Sequence, residues 1–283
     1  MTSTLSTRNI SIVLNDKYEI NLDLHIKVSI TKSRLALPNS AKLEIFNISE
    51  KTFIRLKAEP LIKVSIDGKQ SFTGKVINVP NEYKGTSWLC TIYCNDVRTK
   101  PFKKPQYLDI PKGTTNEGIL KAMASSISDV KLDTSAFSEC AKSKGSLLKS
   151  MVVEFKKEGD IMGAMQNMFK GCDAEVIKED GTVKIQHTGS VPNQAKPLKF
   201  DRLLESPKLS HRDIEVKIPF NSKVKLGYGF EIQPKSISTK IEAPYTYKNQ
   251  FELKTYRISE FTHVADNFTT TVAITTIKGL NFG

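Results

Sequence analysis

Residues 19–30 read EINLDLHIKVSI, and Ile20, Leu22, Leu24, Ile26, Val28 and Ile30 take every second place while Asn21, Asp23, His25, Lys27 and Ser29 take the others. Side chains alternate between the two faces of an extended chain, so the run predicts a strand with one buried and one wet face. At ~3.3 Å per residue it would reach about 40 Å, longer than most strands. A strand of that kind suits a barrel or an extended sheet and commits this part of the chain to β architecture.

The alternation recurs at close spacing in AKLEIFNI (41–48), LIKVSID (61–67), SFTGKVINV (71–79) and SWLCTIYC (87–94), with IDGKQ and PNEYKGT as Gly- or Pro-bearing turns. Only SEKTFIRLK (49–57) has a helical look, with Ser49 placed to cap it. The character changes in NDVRTKPFKKPQYLDIPKG (95–113), a Pro- and Lys-rich boundary. TTNEGILKAMASSIS (114–128) then predicts a helix capped by Thr114 or Thr115, with Ile119, Leu120, Met123 and Ile127 as its apolar stripe. MVVEF (151–155) predicts a short strand and EGDIMGAMQNMFKGC (158–172) a second helix begun near Asp160, with Ile161, Met165, Met168 and Phe169 on one face. DAEVIKEDGTVKIQH (173–187) predicts a hairpin about Glu179, Asp180 and Gly181. After a polar connector, β pattern resumes in 213–220, 223–233, 250–263 and 267–277. The chain reads as mainly β with a central α+β domain, divided into a β domain at 1–98, a mixed domain at 99–195 and a β domain at 196–283.

Composition narrows the function classes. The N-terminus lacks the apolar core of a signal peptide and no apolar run approaches a membrane span, so a soluble chain made in a cytoplasm is expected. The net charge is +12, and it sits at the ends. Residues 1–100 carry 15 basic against 9 acidic groups, 101–195 carry 13 against 12, and 196–283 carry 14 against 9. Such an excess suits nucleic acid, an acidic protein or plain solvation. Cys90 and Cys94 lie four apart along a strand pattern, about 13 Å when extended, too far for a disulfide. With Cys140 and Cys172 they read as reduced core thiols.

The residues for catalysis are not assembled in the sequence. Four histidines (His25, His187, His211 and His263) form no close zinc-type pair, and no nucleophile elbow or phosphate loop is present. HRDIEVKIPF (211–220) starts like a kinase catalytic loop, but Ile218 stands where that loop needs a magnesium-binding Asn. Glu154, Glu158 and Asp160 are the nearest carboxylate cluster, better read as a solvated loop and a helix cap. GYG (227–229) reads as a close-packing or bulge site. No catalytic, cofactor or metal residue is assigned, and the chain is not read as an enzyme.

NSAKLEIFNISEKTFIRL (39–56), then FTGKVINV (72–79) and a strand ending CND (94–96), resembles the first domain of phage baseplate hub proteins, which are related to the hub portion of type VI secretion spikes and of R-type pyocins. KGTTNEGILKAMA and VVEFKKEGDIMGAMQNMFKGCDAEVIKEDGTVKI resemble the family's middle, and YRISEFTHVADNFTTTVAITTI (256–277) resembles its closing strand pair, with Ala265 where a Gly is frequent.

The resemblance implies two tube-like β-barrels flanking a small mixed domain, and three chains in a ring that joins the six-fold tail tube to the three-fold spike around a channel for the genome. Its implied partners are other copies of the chain, a tail tube or tube-initiator protein, the central spike, baseplate wedge proteins and a tape-measure protein, with DNA only in transit and no membrane insertion. The implied place is the virion tail, after assembly in a host cytoplasm. Within that frame His263 and Asp266 are expected to form a structural joint in a short polar break. Asp266 would bond its own backbone two residues on while His263 packs nearby. Lys217, Lys223 and Lys225 alternate with Val216, Ile218, Val224 and Leu226, so the wet face of their strands is expected to carry them. With His25 and Lys27 they are candidates for a partner-facing or lumen-facing surface. Two other readings remain open: a nucleic-acid-binding or other β-barrel assembly module, and a tail-associated cell-wall hydrolase.

Overall fold

The computed structural model describes residues 8–20, 23–34, 39–58, 60–96, 107–126, 131–133, 155–158, 161–168, 174–179, 182–187, 197–209, 213–232, 255–268 and 273–281. The chain is mainly β with a small helical part, and it divides into two compact units. One unit joins Met1–Val97 to Lys196–Gly283; the other is Arg98–Ala195.

The larger unit begins with β1 (Ile10–Leu14), β2 (Tyr18–Glu19), β3 (Ile26–Ser33), β4 (Ser40–Phe46), α1 (Glu50–Lys57), β5 (Leu61–Ile66), β6 (Lys69–Asn78), β7 (Asn81–Lys84) and β8 (Ser87–Asn95). The smaller unit follows with β9 (Tyr107–Ile110), α2 (Asn116–Ser126), β10 (Lys131–Asp133), β11 (Phe155–Glu158), α3 (Ile161–Met168), β12 (Ala174–Glu179) and β13 (Thr182–His187). The larger unit then resumes with β14 (Leu198–Phe200), β15 (Lys208–Leu209), β16 (Asp213–Pro219), β17 (Gly229–Ile232), β18 (Tyr256–Asp266) and β19 (Ile274–Asn281).

One sheet runs through the larger unit in the order β15-β16-β19-β18-β3-β4-β8-β6-β5-β1-β2, with β14, β17 and β7 off this path. Its pairs are antiparallel except β14 with β17. Alternation makes its core: Ile26, Val28 and Ile30 on β3 meet Leu43 and Ile45 on β4, Ile62 and Val64 on β5 and Phe72 on β6, all at most 1% exposed. At the β5–β6 corner Asp67 (φ 51) and Gly68 (φ 73) are both left-handed, the backbone of a two-residue hairpin that follows the strand twist. Helix α1 starts where expected, with the Thr52 N–H donating to Ser49 Oγ at 3.3 Å. It is tied to β2 by a 2.9 Å hydroxyl contact between Tyr18 and Thr52 and by the Arg55 guanidinium 4.0 Å from the Tyr18 ring.

In the smaller unit, α2 is capped by Thr115, whose Oγ1 accepts from the Gly118 N–H at 3.2 Å, and it buries Ile119, Leu120 and Met123 completely. Strands β12 and β13 pair antiparallel from Ala174↔His187 to Glu179↔Thr182, the pairing of the expected hairpin's arms. The described part of the helix expected at 158–172 is α3, with Met165 buried, while Ile127, Glu154, Asp160, Phe169, Asp180, Gly181, His211, Cys140 and Cys172 lie outside the described residues or outside the described elements.

Several expected elements differ. The run 19–30 is not one strand: β2 ends at Glu19 and β3 opens only at Ile26, running on to Ser33. The alternation is a true signal of burial, but the regular strand opens only at Ile26, whose N–H donates to the Asn267 side chain while the same amide donates to the Leu24 carbonyl. The segment PNEYKGT is not all turn, since its first half is β7. The segment 95–113 contains strand β9, which pairs with β11, whose described residues run to Glu158 past the expected end at 155. Residues 223–228 are not strand. The Asn221 side chain accepts from the Lys223 N–H at 2.9 Å, Tyr228 N–H reaches Lys225 O at 3.3 Å, and Gly227 turns at φ 78, so a compact turn precedes β17. Val224 and Leu226 are buried all the same, at 3% exposure each. Finally, β18 continues through His263 to Asp266, so the break expected between them is strand, and β19 begins at Ile274.

Candidate functional site: the seam between two β regions

The two β regions meet where β3 pairs with β18, in a register from Glu260↔Ser33 to Asp266↔Lys27. The joining residues stand more than two hundred apart in sequence. Beyond the ladder the seam is closed by side chains at its β3 entry. Asn267 Oδ1 accepts from the Ile26 N–H at 2.7 Å, and Asn267 Nδ2 donates to Leu24 O at 2.9 Å. One amide thus satisfies one backbone donor and one backbone acceptor just before the β3–β18 ladder begins at Lys27. Asp266 sits beside it: its Oδ1 accepts from the Phe268 N–H two residues on at 2.8 Å and lies 3.1 Å from His25 Nε2, while Lys27 Nζ stands 3.7 Å from Oδ2. The His25 ring stacks between Phe46 (centroids 4.6 Å, 15°) and Phe268 (5.0 Å, 30°).

His263 belongs to the same seam but to the other face of β18. Its Nδ1 is 2.9 Å from Thr275 Oγ1 on β19, and its ring leans on Phe220 and Phe261 at 4.9 and 4.7 Å. The side chain is 4% exposed. Burial, with the Lys32 ammonium nearby, lowers its pKa to about 4, so His263 is neutral through most of the physiological range. His263 and Asp266 are therefore brought to one seam but not to each other: Asp266 is with His25 and Lys27, and His263 with Thr275. The acid–base geometry of a catalytic pair is absent from them.

On the wet face the seam is part of a broad surface. Strands β15, β16, β19, β18, β3, β4 and β8 lie side by side, and register places Lys217, Thr276, Thr262, Thr31 and Ser40 in one row across them. Thr31 and Thr262 join hydroxyls at 3.0 Å across the seam. The charges on this face are paired: Lys42 with Glu44 at 2.7 Å, Lys208 with Glu215 at 3.3 Å, Lys278 with Glu260 at 2.8 Å and Lys27 with Asp266 at 3.7 Å. Lys217 remains on the wet face of β16, 2.9 Å from Glu205, which lies before β15, and Asp213 is the fifth carboxylate on the strands themselves. Lys223 and Lys225 are exposed but belong to the turn before β17, not to a strand face. The +12 of the chain is thus not carried by the wet face of these seven strands, which balances lysine against carboxylate.

The sequence pattern gave no sign of Asn267, because a single Asn after a strand is a common turn residue and its partners lie at the other end of the chain. Cys90 and Cys94 are buried free thiols, and loss of hydration pushes their pKa values up to about 11 and about 12. Among the described residues no group of three or more His, Cys, Asp or Glu is arranged to hold a metal ion, and no helix is long and apolar enough to cross a membrane.

No protein-family model and no curated protein matches the sequence. Solved structures do match the fold. A prophage MuSo2 43 kDa tail protein from Shewanella oneidensis aligns at a TM-score of 0.65 with 11% identity, covering 97% of each chain. A tail protein from Neisseria meningitidis MC58 aligns at 0.62 with 10% identity, covering 97% of this chain and 96% of its own. An E. coli component of the type VI secretion system, described as structurally similar to T4 bacteriophage tail proteins, aligns at 0.58 with 9% identity over 96% of this chain and 77% of its own. Across nearly its whole length, this chain shares the fold of phage tail proteins and of a type VI secretion component.

Proposed function

We propose that the chain is a structural protein of a phage tail, the hub at the baseplate or tail tip. The reading rests on whole-length fold likeness to tail proteins together with one observation of the chain itself: the seam β3–β18 makes a single polar, charge-balanced face out of two β regions far apart in sequence. In this reading each region is a tube-like barrel. Three chains set six such barrels in a ring between the six-fold tube and the three-fold spike, and the wet face lines the channel. A strongly basic lining would hold a polyanion, since each phosphate contact adds to affinity; a lining of Ser, Thr and paired charges lets DNA pass. The excess charge is then left for surfaces that dock the tube or tube initiator, the spike, the wedge proteins or a tape-measure protein. His263 and Asp266, with His25 and Asn267, serve as the structural joint. The chain is a virion component assembled in the host cytoplasm, and it performs no catalysis.

The test is the mass of the purified chain by light scattering, alone and with its tail partners co-expressed. A species near three times 31.7 kDa is expected. A chain that stays monomeric in both settings overturns the ring.

A further inference from the structure

The hairpin β7–β8 carries an aromatic pair that the fold does not cover. Trp88 lies on the same face of β8 as Cys90, Ile92 and Cys94, which are at most 1% exposed, yet Trp88 itself is 49% exposed. Tyr83, its cross-strand partner on β7, is 64% exposed, and the two rings meet edge to face with centroids 5.4 Å apart. The core face of the sheet therefore continues past the core. Strand β7 also has an open side: all four of its residues are exposed, and among the described residues it bonds β8 and no other strand.

An open edge with aromatics invites another strand, and natural edges repel their own kind with charge of one sign. Here the charges do the reverse. Glu82 and Lys84 flank Tyr83 on the opposite face of β7. When a second β7 runs antiparallel with Tyr83 facing Tyr83, each Glu82 faces a Lys84. On the other face, four rings then stand in a row, two from each copy. The edge is self-complementary in backbone, charge and apolar surface.

We propose that β7 is a self-association edge whose occupant is β7 of a second copy of this chain, in a two-fold antiparallel pair. The interface is isologous and closes on itself, unlike the heterologous contacts of a ring, so it stands apart from the ring reading. A four-residue edge with two rings from each copy is a small contact beside the roughly 1,000 Å² of a lasting interface, so the pairing is expected to be reversible and concentration-dependent.

Sedimentation equilibrium of the full chain, run to a few hundred micromolar, tests it. The wild type is expected to dimerise; E82K and K84E each weaken the dimer roughly tenfold or more by setting like charges opposite. The double variant E82K/K84E restores it, because the swapped pair is complementary again. Trp88 is the only tryptophan, so its emission should shift to the blue on association, and Tyr83→Ala should abolish that shift. A wild type that does not self-associate, or a double variant no better than the single ones, overturns the proposal. A trimer indifferent to all of these changes overturns the edge pair and leaves the ring standing, whereas a dimer that follows the charge swaps without any trimer supports the edge and counts against the ring.

Discussion

The two faces of the β3–β18 pair are built from the same backbone and behave as different media. On the wet face Lys27, Glu260 and Lys278 are 26–50% exposed, and Asp266, itself 9% exposed, lies 3.1 Å from His25 and 3.7 Å from Lys27. On the inner face His263 and Lys32 are each 4% exposed, and burial beside Lys32 lowers the pKa of His263 from its ordinary 6.5 to about 4. Side-chain parity alone decides which medium a residue meets: Thr262 and Val264 point one way, Phe261, His263 and Ala265 the other. The seam is held by a largely apolar interior that already accommodates Lys32 and a neutral His263, with an outer face of exposed ion pairs that contribute little energy.

The largest effect should come from forcing charge onto the inner face. His263→Lys places an ammonium beside Lys32 among Phe220 and Phe261, and should cost about 4 kcal/mol by denaturant unfolding. Thr262→Lys, one residue away on the wet face, should cost well under 1 kcal/mol. Equal losses would abolish the distinction between faces. Next comes acid. The unfolded chain takes up a proton on His263 near its ordinary pKa of about 6.5, whereas the folded chain resists until about 4. Between those values the unfolded state binds more protons, so stability falls as pH falls, and this group's contribution is complete above 6.5 and gone below 4. The shift corresponds to about 3 kcal/mol. His263→Gln should flatten that part of the stability–pH curve, and an unchanged curve would mean that His263 is hydrated in the fold.

Alternation made the N-terminal β region legible because the two faces of a strand are set by its own sequence: β4, β5, β6 and β8 fall where period two puts them. Ser49 and the pair Thr114 and Thr115 were legible as caps or candidate caps, since a cap is a local event; the structure selects Thr115. What the pattern could not show was made by distance or by turns. The run 19–30 alternates throughout, yet its regular strand begins at Ile26, where the Asn267 amide bonds the Ile26 N–H and the Leu24 carbonyl. Lys223 and Lys225 alternate with buried Val224 and Leu226, but a turn can bury alternate residues as well as a strand can. His25 and Asp266 were each visible in the sequence; that they touch depends on a register spanning 241 positions. The balance of charge on the wet face was hidden for the same reason, since Lys278 and Glu260 find each other only after β18 and β19 pair.

Asn267 lies at the boundary between the faces and should show an intermediate effect. Asn267→Ala leaves the Ile26 N–H and Leu24 carbonyl without their partner, at a cost of about 2 kcal/mol. The Ile26 amide should exchange with solvent faster than its neighbours in β3. Asn267→Asp keeps an acceptor for Ile26 but not the donor to Leu24, so it should cost less in the bonds and bring a second carboxylate next to Asp266.

The smallest effect belongs to the wet face itself. Glu260 and Lys278 are 26% and 50% exposed, so their 2.8 Å contact is expected to be worth about 0.5 kcal/mol or less in a double-mutant cycle and to fade with added salt. That small number carries meaning. A coupling well above 1 kcal/mol in the free chain would show that the face is already shielded from water by the chain itself, and a channel lining would not be. A weak, salt-sensitive pair that becomes stronger once copies assemble would show the reverse: the face is open in the single chain and enclosed only in the assembly, which is the difference between a wall and an outer surface.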